Sequence, residues 1–182
     1  MKEVEIIDKI KVAINVLFSN DAWLLHNDLS EKSITHKLAE YLQPLFLDYN
    51  VDCEYNGNVD RVSGRKRIGV LKSDLEEKGL LKESEIIGAD DEIADRLVYP
   101  DIIIHKRGTN EQNLCIIEVK KSTSKIPFDY DVLKLNAYTN SYYGNDLKYK
   151  IGLFVEFVTG TEELTYYVKY FQNGRETDKY KY

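Results

Sequence analysis

The sequence predicts a single α/β domain spanning residues 1–182, with a mixed central β-sheet flanked by helices. Residues 3–46 show the apolar spacing of amphipathic helices. Residues 99–121 contain two β-branched runs around a turn, and residues 151–158 are almost continuously apolar, as is typical of a strand covered on both faces. A chain of 182 residues is long enough to form one domain with its own core, and no repeat or long linker divides it.

The N-terminal region predicts two helices, at 3–18 and at about 30–46. The apolar stripe of the second helix is formed by Ile34, Leu38 and Leu42. Glu31 lies on the same stripe, and two interpretations of it are open. Its carboxylate faces a functional site, or it closes a capping box with Asp28, whose spacing fits that motif.

A strand at 51–55 is followed by a charged insertion at about 58–97. Within the insertion we expect helices at about 68–81 and 91–97. Its opening basic run consists of Arg61, Arg65, Lys66 and Arg67. Such a run is suited to phosphate contacts, and a solvated loop is an equally good interpretation.

The two β-branched runs within 99–121 predict a β-hairpin. Because side chains alternate along a strand, Glu118 and Lys120 share one face, and Asp101 shares a face with the alternate residues of its own strand. Charged groups in strands this apolar need partners. A divalent cation such as Mg²⁺, which takes oxygen ligands, would satisfy both carboxylates. The alternative is a structural hairpin in which Asp101 caps a turn and Glu118 pairs with Lys120.

The C-terminal part predicts a locally basic loop at 121–125, a helix at 128–143 and strands at 151–158 and 164–171, before a polar tail. On the helix, Asp131, Leu135, Tyr138 and Tyr142 share one side, and Lys134 lies at its border. Lys134 is suited to a phosphate contact as a point charge. The simpler interpretation is a surface lysine beside a core tyrosine.

Pro100-Asp101 followed by Glu118-Val119-Lys120 on the next strand resembles the PD-(D/E)XK nuclease superfamily, which has the restriction-endonuclease-like fold. The resemblance covers the middle and C-terminal half of the chain, and the N-terminal helices loosely. Lys134-x-x-x-Tyr138 also resembles the Gln-x-x-x-Tyr element of one branch of that superfamily, with Lys in place of Gln.

The resemblance implies a metal-dependent nuclease, with DNA as the favoured substrate. Asp101 and Glu118 would bind Mg²⁺ or Mn²⁺, with the Val119 carbonyl as a further ligand. Lys120 would orient the attacking water, and Glu31 would complete the site from the first core helix. The candidate nucleic-acid contacts are Arg65, Arg67, Lys121, Lys134 and Tyr138.

Composition limits these expectations. A net charge of −6 disfavours avid nonspecific binding to nucleic acid, although a local basic groove is compatible with it. We expect a cytoplasmic protein without a membrane span or signal peptide, and Cys53 and Cys115 as small core residues in a reducing compartment. Protein partners or a homodimer are compatible with the sequence. The alternative function is an inactive nuclease-like fold that binds nucleic acid or a protein.

Overall fold

The computed structural model describes residues 1–88 and 90–178, and across these residues there are five α-helices and eight β-strands. The helices are α1 Glu3–Asn20, α2 Ala22–His26, α3 Glu31–Leu42, α4 Lys72–Glu77 and α5 Asp129–Thr139. The strands are β1 Asn50–Cys53, β2 Arg67–Leu71, β3 Ile93–Leu97, β4 Ile102–His105, β5 Cys115–Lys121, β6 Ile151–Phe157, β7 Tyr166–Gln172 and β8 Arg175–Thr177. The expected single α/β domain with a mixed sheet is confirmed at this level.

A six-stranded sheet in the order β1-β4-β5-β6-β7-β8 forms the centre of the described part of the molecule. β4 and β5 pair as the expected antiparallel hairpin, with Ile103 opposite Ile116. β5 and β6 are parallel, and helix α5 makes the crossover between them. The other pairs in this sheet are antiparallel. One parallel pair therefore brings α5 over the strand that carries Glu118 and Lys120.

Alternating side chains of the sheet enter two separate cores. On one face, Ile102, Ile104 and Ile117 pack with the apolar stripes of α1 and α3. On the other face, Ile103 and Ile116 pack with α5. This is the alternation that the hairpin sequence predicts. It places Glu118 and Lys120 on the α5 face of the sheet.

The insertion differs from the prediction. The helices expected at 68–81 and 91–97 are wrong: residues 67–71 and 93–97 are antiparallel strands, β2 and β3, and the described helical segments are the short α4 and a 3₁₀ turn at Glu83–Glu85. The spacing of two between Ile68 and Val70 explains the difference, because both residues pack into the α5-side core. A period of two, together with β-branched residues, favours a strand over a helix.

Other boundaries shift for local reasons. α3 begins at Glu31 because Ser30 is its N-cap and accepts a hydrogen bond from the Ser33 N–H at 3.2 Å, so the capping box based on Asp28 is wrong. α5 ends at Thr139, where Asn140 turns to extended backbone. The tail contains an unexpected short strand, β8, and residues 179–182 lie outside the described residues. Cys115 is buried as expected, but Cys53 is exposed and is not a core residue.

Helix α5 approaches β6 closely at Gly152. A methyl group at this position would lie 3.0 Å from Leu135 Cδ2 and 3.3 Å from Thr139 Cγ2. The absence of a side chain on Gly152 therefore sets the height of α5 above the sheet. None of the described helices combines the length and the apolarity that a membrane span requires.

Candidate active site

The candidate site lies where β5 extends beyond the end of β4. The pairing of the two strands ends at Ile102, but β5 continues to Lys121, which leaves backbone N–H groups without a strand partner. Carboxylates take their place. Asp101 Oδ2 accepts the Val119 N–H at 2.8 Å, and Glu31 Oε2 accepts the Lys121 N–H at 3.2 Å. Buried N–H groups require such acceptors, so these bonds fix both carboxylates against β5.

The carboxyl groups of Asp101 and Glu118 interact, since each acts on the pKa of the other. Burial raises the pKa of Asp101, against the Val119 N–H bond and the charge of Lys134. Burial also raises the pKa of Glu118 to about 8, and Asp101 adds to this rise while Lys134 opposes it. Both effects of burial oppose the simultaneous ionisation of the two carboxyl groups.

Two lysines neutralise this cluster. Lys134 Nζ donates to Glu118 Oε2 at 2.7 Å and to Asp131 Oδ1 at 2.9 Å. Lys120 Nζ lies 3.1 Å from Asp131 Oδ2. Burial alone would lower the pKa of Lys134, but the charges of Glu118 and Asp131 raise it above its usual value. Lys134 is only 12% exposed, so its interpretation as a surface lysine is wrong.

Asp131 is the member of the cluster that the sequence did not identify as a site residue. It is buried and joins both lysines. Its spacing of three residues from Lys134 was the available signal, since such pairs meet on one helix face. The sequence does not show that α5 packs over β5.

Glu31 reaches the cluster from the opposite layer of the sheet. Burial raises its pKa, Lys120 opposes this rise, and the charges of Asp101 and Asp131 add to it, so the Glu31 carboxylate interacts electrostatically with the cluster. The carboxylate points toward β5 and not back to the Asp28 backbone. A cavity of about 250 Å³ leads from the surface to Glu31 and Asp101, and Thr35, His36 and Cys53 also line it.

The lysine after the motif makes a separate contact. Lys121 Nζ donates to Asp28 Oδ1 at 2.9 Å, and Asp28 also accepts from the hydroxyls of Thr123 and Thr159, each at 2.7 Å. The Lys121 hydrogen bond, with those of the two threonines, lowers the pKa of Asp28 to about 2. This polar node joins the loop before α3 to the ends of β5 and β6. It also engages Lys121, a predicted nucleic-acid contact, inside the protein.

The other predicted nucleic-acid contacts lie outside the cluster or are inaccessible. Arg65 donates to Asn56 at 3.0 Å, and Arg67 pairs with Asp95 at 3.1 Å. Tyr138 is fully buried, and its hydroxyl has no hydrogen-bond partner among the described residues. Direct contact between Tyr138 and nucleic acid would require α5 to move, so we assign no such contact to it.

The oxygen donors present fit a hard divalent cation. Asp101, Glu31 and Glu118 each use one carboxylate oxygen in the bonds above, and Glu118 Oε1 is buried without a hydrogen-bond partner in the described chain. Mg²⁺ commonly takes one or two carboxylates and keeps several waters. Within residues 1–88 and 90–178, no group of three or more His, Cys, Asp or Glu side chains is arranged to hold a metal ion. Two of these carboxylates, together with water, would be the ligands of such a cation.

The fold and the cluster define an α/β protein with a buried carboxylate–lysine site at one end of its sheet. No model of a known protein family matches the chain, and no curated protein is similar enough to match it. Among solved structures, the crystal structure of SSO0001 resembles it with 15% sequence identity and a TM-score of 0.37. The match covers 87% of this chain and 55% of that chain, so this chain spans about half of the length of SSO0001. A likeness this distant says nothing about function.

Proposed function

We propose that this protein is a metal-dependent nuclease of the restriction-endonuclease-like class that hydrolyses phosphodiester bonds, with DNA as the favoured substrate. The observation that carries the proposal is the cluster at the end of β5, where Asp101 accepts the Val119 N–H and where Glu118 and Lys120 are joined through Lys134 and Asp131. Buried carboxylates beside a cavity are costly to keep and are typical of functional sites. Here Glu118 is buried, and the cavity is lined by the partly buried Asp101 and Glu31.

In this proposal Asp101 and Glu118 hold Mg²⁺ or Mn²⁺, with the Val119 carbonyl as a candidate further ligand. The bound cation supplies a water of lowered pKa and offsets charge on the phosphate. Lys120 orients that water and stabilises the charge that develops on the phosphate oxygens. The water oxygen forms a bond to phosphorus and loses a proton to solvent, the bond from phosphorus to one sugar oxygen breaks, and the leaving sugar oxygen takes up a proton from solvent.

Glu31 has a supporting role in this proposal. Its carboxylate is anchored by the Lys121 N–H and lies on the cavity side of the cluster. It is therefore placed to accept a hydrogen bond from a water near the scissile phosphate, or to add a ligand to the cation. The basic residues Arg65, Arg67 and Lys121 remain candidates for backbone contacts with nucleic acid, and for Lys121 such a contact requires release from Asp28.

The experiment is incubation of the purified protein with linear, circular and branched DNA, and with RNA, in Mg²⁺ or Mn²⁺. We expect cleavage that Asp101→Asn and Glu118→Gln abolish. Asp129→Asn is the matched control, since Asp129 is exposed on the same helix as Asp131 and pairs with Lys78 at 3.6 Å. Absence of cleavage with every substrate and metal would refute the proposal, as would equal cleavage by Asp101→Asn.

One observation favours a second function. Lys134 and Lys120 pair with Glu118 and Asp131, so that two ammonium groups already offset two carboxylates. A nuclease-like fold with an internally neutralised site is suited to binding nucleic acid or a protein without cleaving it. Binding of DNA that does not depend on divalent cations, in the absence of any cleavage, would support this alternative.

A further inference from the structure

Lys134 places its ammonium against Glu118, one of the two carboxylates of the candidate metal site. Its ammonium lies 2.7 Å from Glu118 Oε2, and the other oxygen of Glu118 is buried without a partner in the described chain. An ammonium is a compact point charge with three donors, so it satisfies a carboxylate much as a small cation does. Glu118 therefore has a counter-ion that is covalently tethered to the protein.

A divalent cation at Glu118 would meet this ammonium at close range. Two positive charges a few ångströms apart repel strongly in a buried site, where solvent screens them weakly. Lys120 adds a further positive charge near Asp131. The arrangement is compatible with a bound cation only if the Lys134 ammonium moves away from Glu118.

The Lys134 ammonium has favourable neighbours other than Glu118. Asp131 Oδ1 lies 2.9 Å from the ammonium, three residues earlier on the same helix. The ring of Tyr130 lies on another side, with its centroid 5.6 Å from Nζ, a distance at which an aromatic face attracts a cation. Four rotatable bonds allow the side chain to leave Glu118 and keep both of these contacts.

We propose that Lys134 is a displaceable internal counter-ion of the candidate metal site. A divalent cation binds to Asp101 and Glu118 as the Lys134 ammonium leaves Glu118 and remains with Asp131. This inference rests on the proposed function, because it concerns the same site. It assigns Lys134 a role in setting cation affinity, with Asp131 as the positioning residue that retains the released ammonium.

The test is a titration with Mn²⁺ in the absence of nucleic acid, followed by calorimetry or by the electron paramagnetic resonance of free Mn²⁺. We expect Lys134→Gln to bind Mn²⁺ at least about tenfold more tightly than the wild type, because a nearby positive charge is removed while the amide still donates to Glu118. Lys134→Arg keeps the charge and should not tighten binding. Lys78→Gln is the control, since it removes the same charge from an exposed pair elsewhere.

Equal or weaker affinity of Lys134→Gln would overturn the inference, and so would the absence of Mn²⁺ binding in both the wild type and Lys134→Gln. Binding by Lys134→Gln alone would support it. The proposed function is tested separately. Whether cleavage depends on Asp101 is measured independently of the effect of Lys134→Gln on Mn²⁺ affinity.

A measurement on the wild-type protein does not depend on the folding of a variant. Buried lysine ammonium groups exchange slowly enough to be followed by ¹⁵N nuclear magnetic resonance, and Lys134→Arg identifies the signal of Lys134. We expect Mg²⁺ to shift this signal. The Lys66 ammonium, which is buried and donates to the Gly57 carbonyl, should stay unchanged. A Lys134 signal that is unmoved at saturating Mg²⁺ would contradict the displacement.

Discussion

Asp131 gives the most quantitative test of the site's energetics. Its carboxylate forms ion pairs with the Lys120 and Lys134 ammonium groups, with N–O distances of 3.1 and 2.9 Å. The side chains of all three residues are 12% exposed or less. Asp131→Asn keeps the shape of the side chain and removes its charge. Both lysines then remain buried with fewer hydrogen-bond acceptors, because the single amide oxygen replaces the two carboxylate oxygens.

The expected loss of stability follows from these contacts. A hydrogen bond to a charged group contributes about 1.5–3 kcal/mol, and breaking a buried ion pair by removal of one partner costs about 3–5 kcal/mol. Because the asparagine side chain keeps one oxygen that accepts hydrogen bonds, we expect Asp131→Asn to lower the free energy of unfolding by about 3 kcal/mol. For a domain of this size, that corresponds to a fall in Tm of roughly 6–12 °C.

Urea unfolding followed by circular dichroism measures this loss, and Asp129→Asn is the control. Asp129 also lies in the first turn of α5, so both substitutions remove the same favourable interaction with the helix dipole. Its pair with Lys78 is exposed at 3.6 Å and should contribute less than about 1 kcal/mol. Equal effects of the two substitutions would refute the description of Asp131 as the centre of a buried network.

The remaining predictions concern individual residues. Lys120→Ala should retain Mg²⁺ and most DNA affinity but lose kcat, and Lys120→Arg should restore it only partly; unchanged cleavage by Lys120→Ala would remove Lys120 from the mechanism. Glu31→Gln should weaken Mn²⁺ binding but leave Tm nearly unchanged, because Ser30 caps α3; a large fall in Tm with normal Mn²⁺ affinity would argue against a site role. Asp28 has its pKa lowered from 3.8 to about 2, so its contribution to stability is present above pH 4 and is lost as the pH falls toward 2. The urea midpoints of wild type and Asp28→Asn should therefore converge between pH 5 and pH 2, and a constant difference would contradict this.

The hairpin was predictable because its pattern is local. The alternation in β5 puts Glu118 and Lys120 on one face, where both contact residues of α5, since the period of a strand fixes the face of each side chain. The same local reasoning failed in the insertion, where Ile68 and Val70 were assigned to a helix. In a charged segment the short alternation is visible only when the α5-side core that buries these residues is known.

The lysine–carboxylate network was not predictable from the sequence. Lys134 and Asp131 are on a helix that packs over β5 only because β6 is parallel to β5, and this topology is a tertiary property. Asp28 was interpreted as a helix cap because its spacing fits that motif, but its carboxylate accepts from Lys121 and two threonines far along the chain. Contacts between residues so distant in sequence leave no periodic signal.

The close approach at Gly152 connects the hydrophobic core to the chemistry of the site. Leu135 packs against the bare backbone of Gly152, and its neighbour Lys134 faces Glu118. Any side chain that raises α5 by a few tenths of an ångström would lengthen the ionic contacts that Asp131 and Lys134 each make with β5. Cation affinity in this protein can therefore be changed by substituting apolar residues between α5 and the sheet, which contact none of the charged groups.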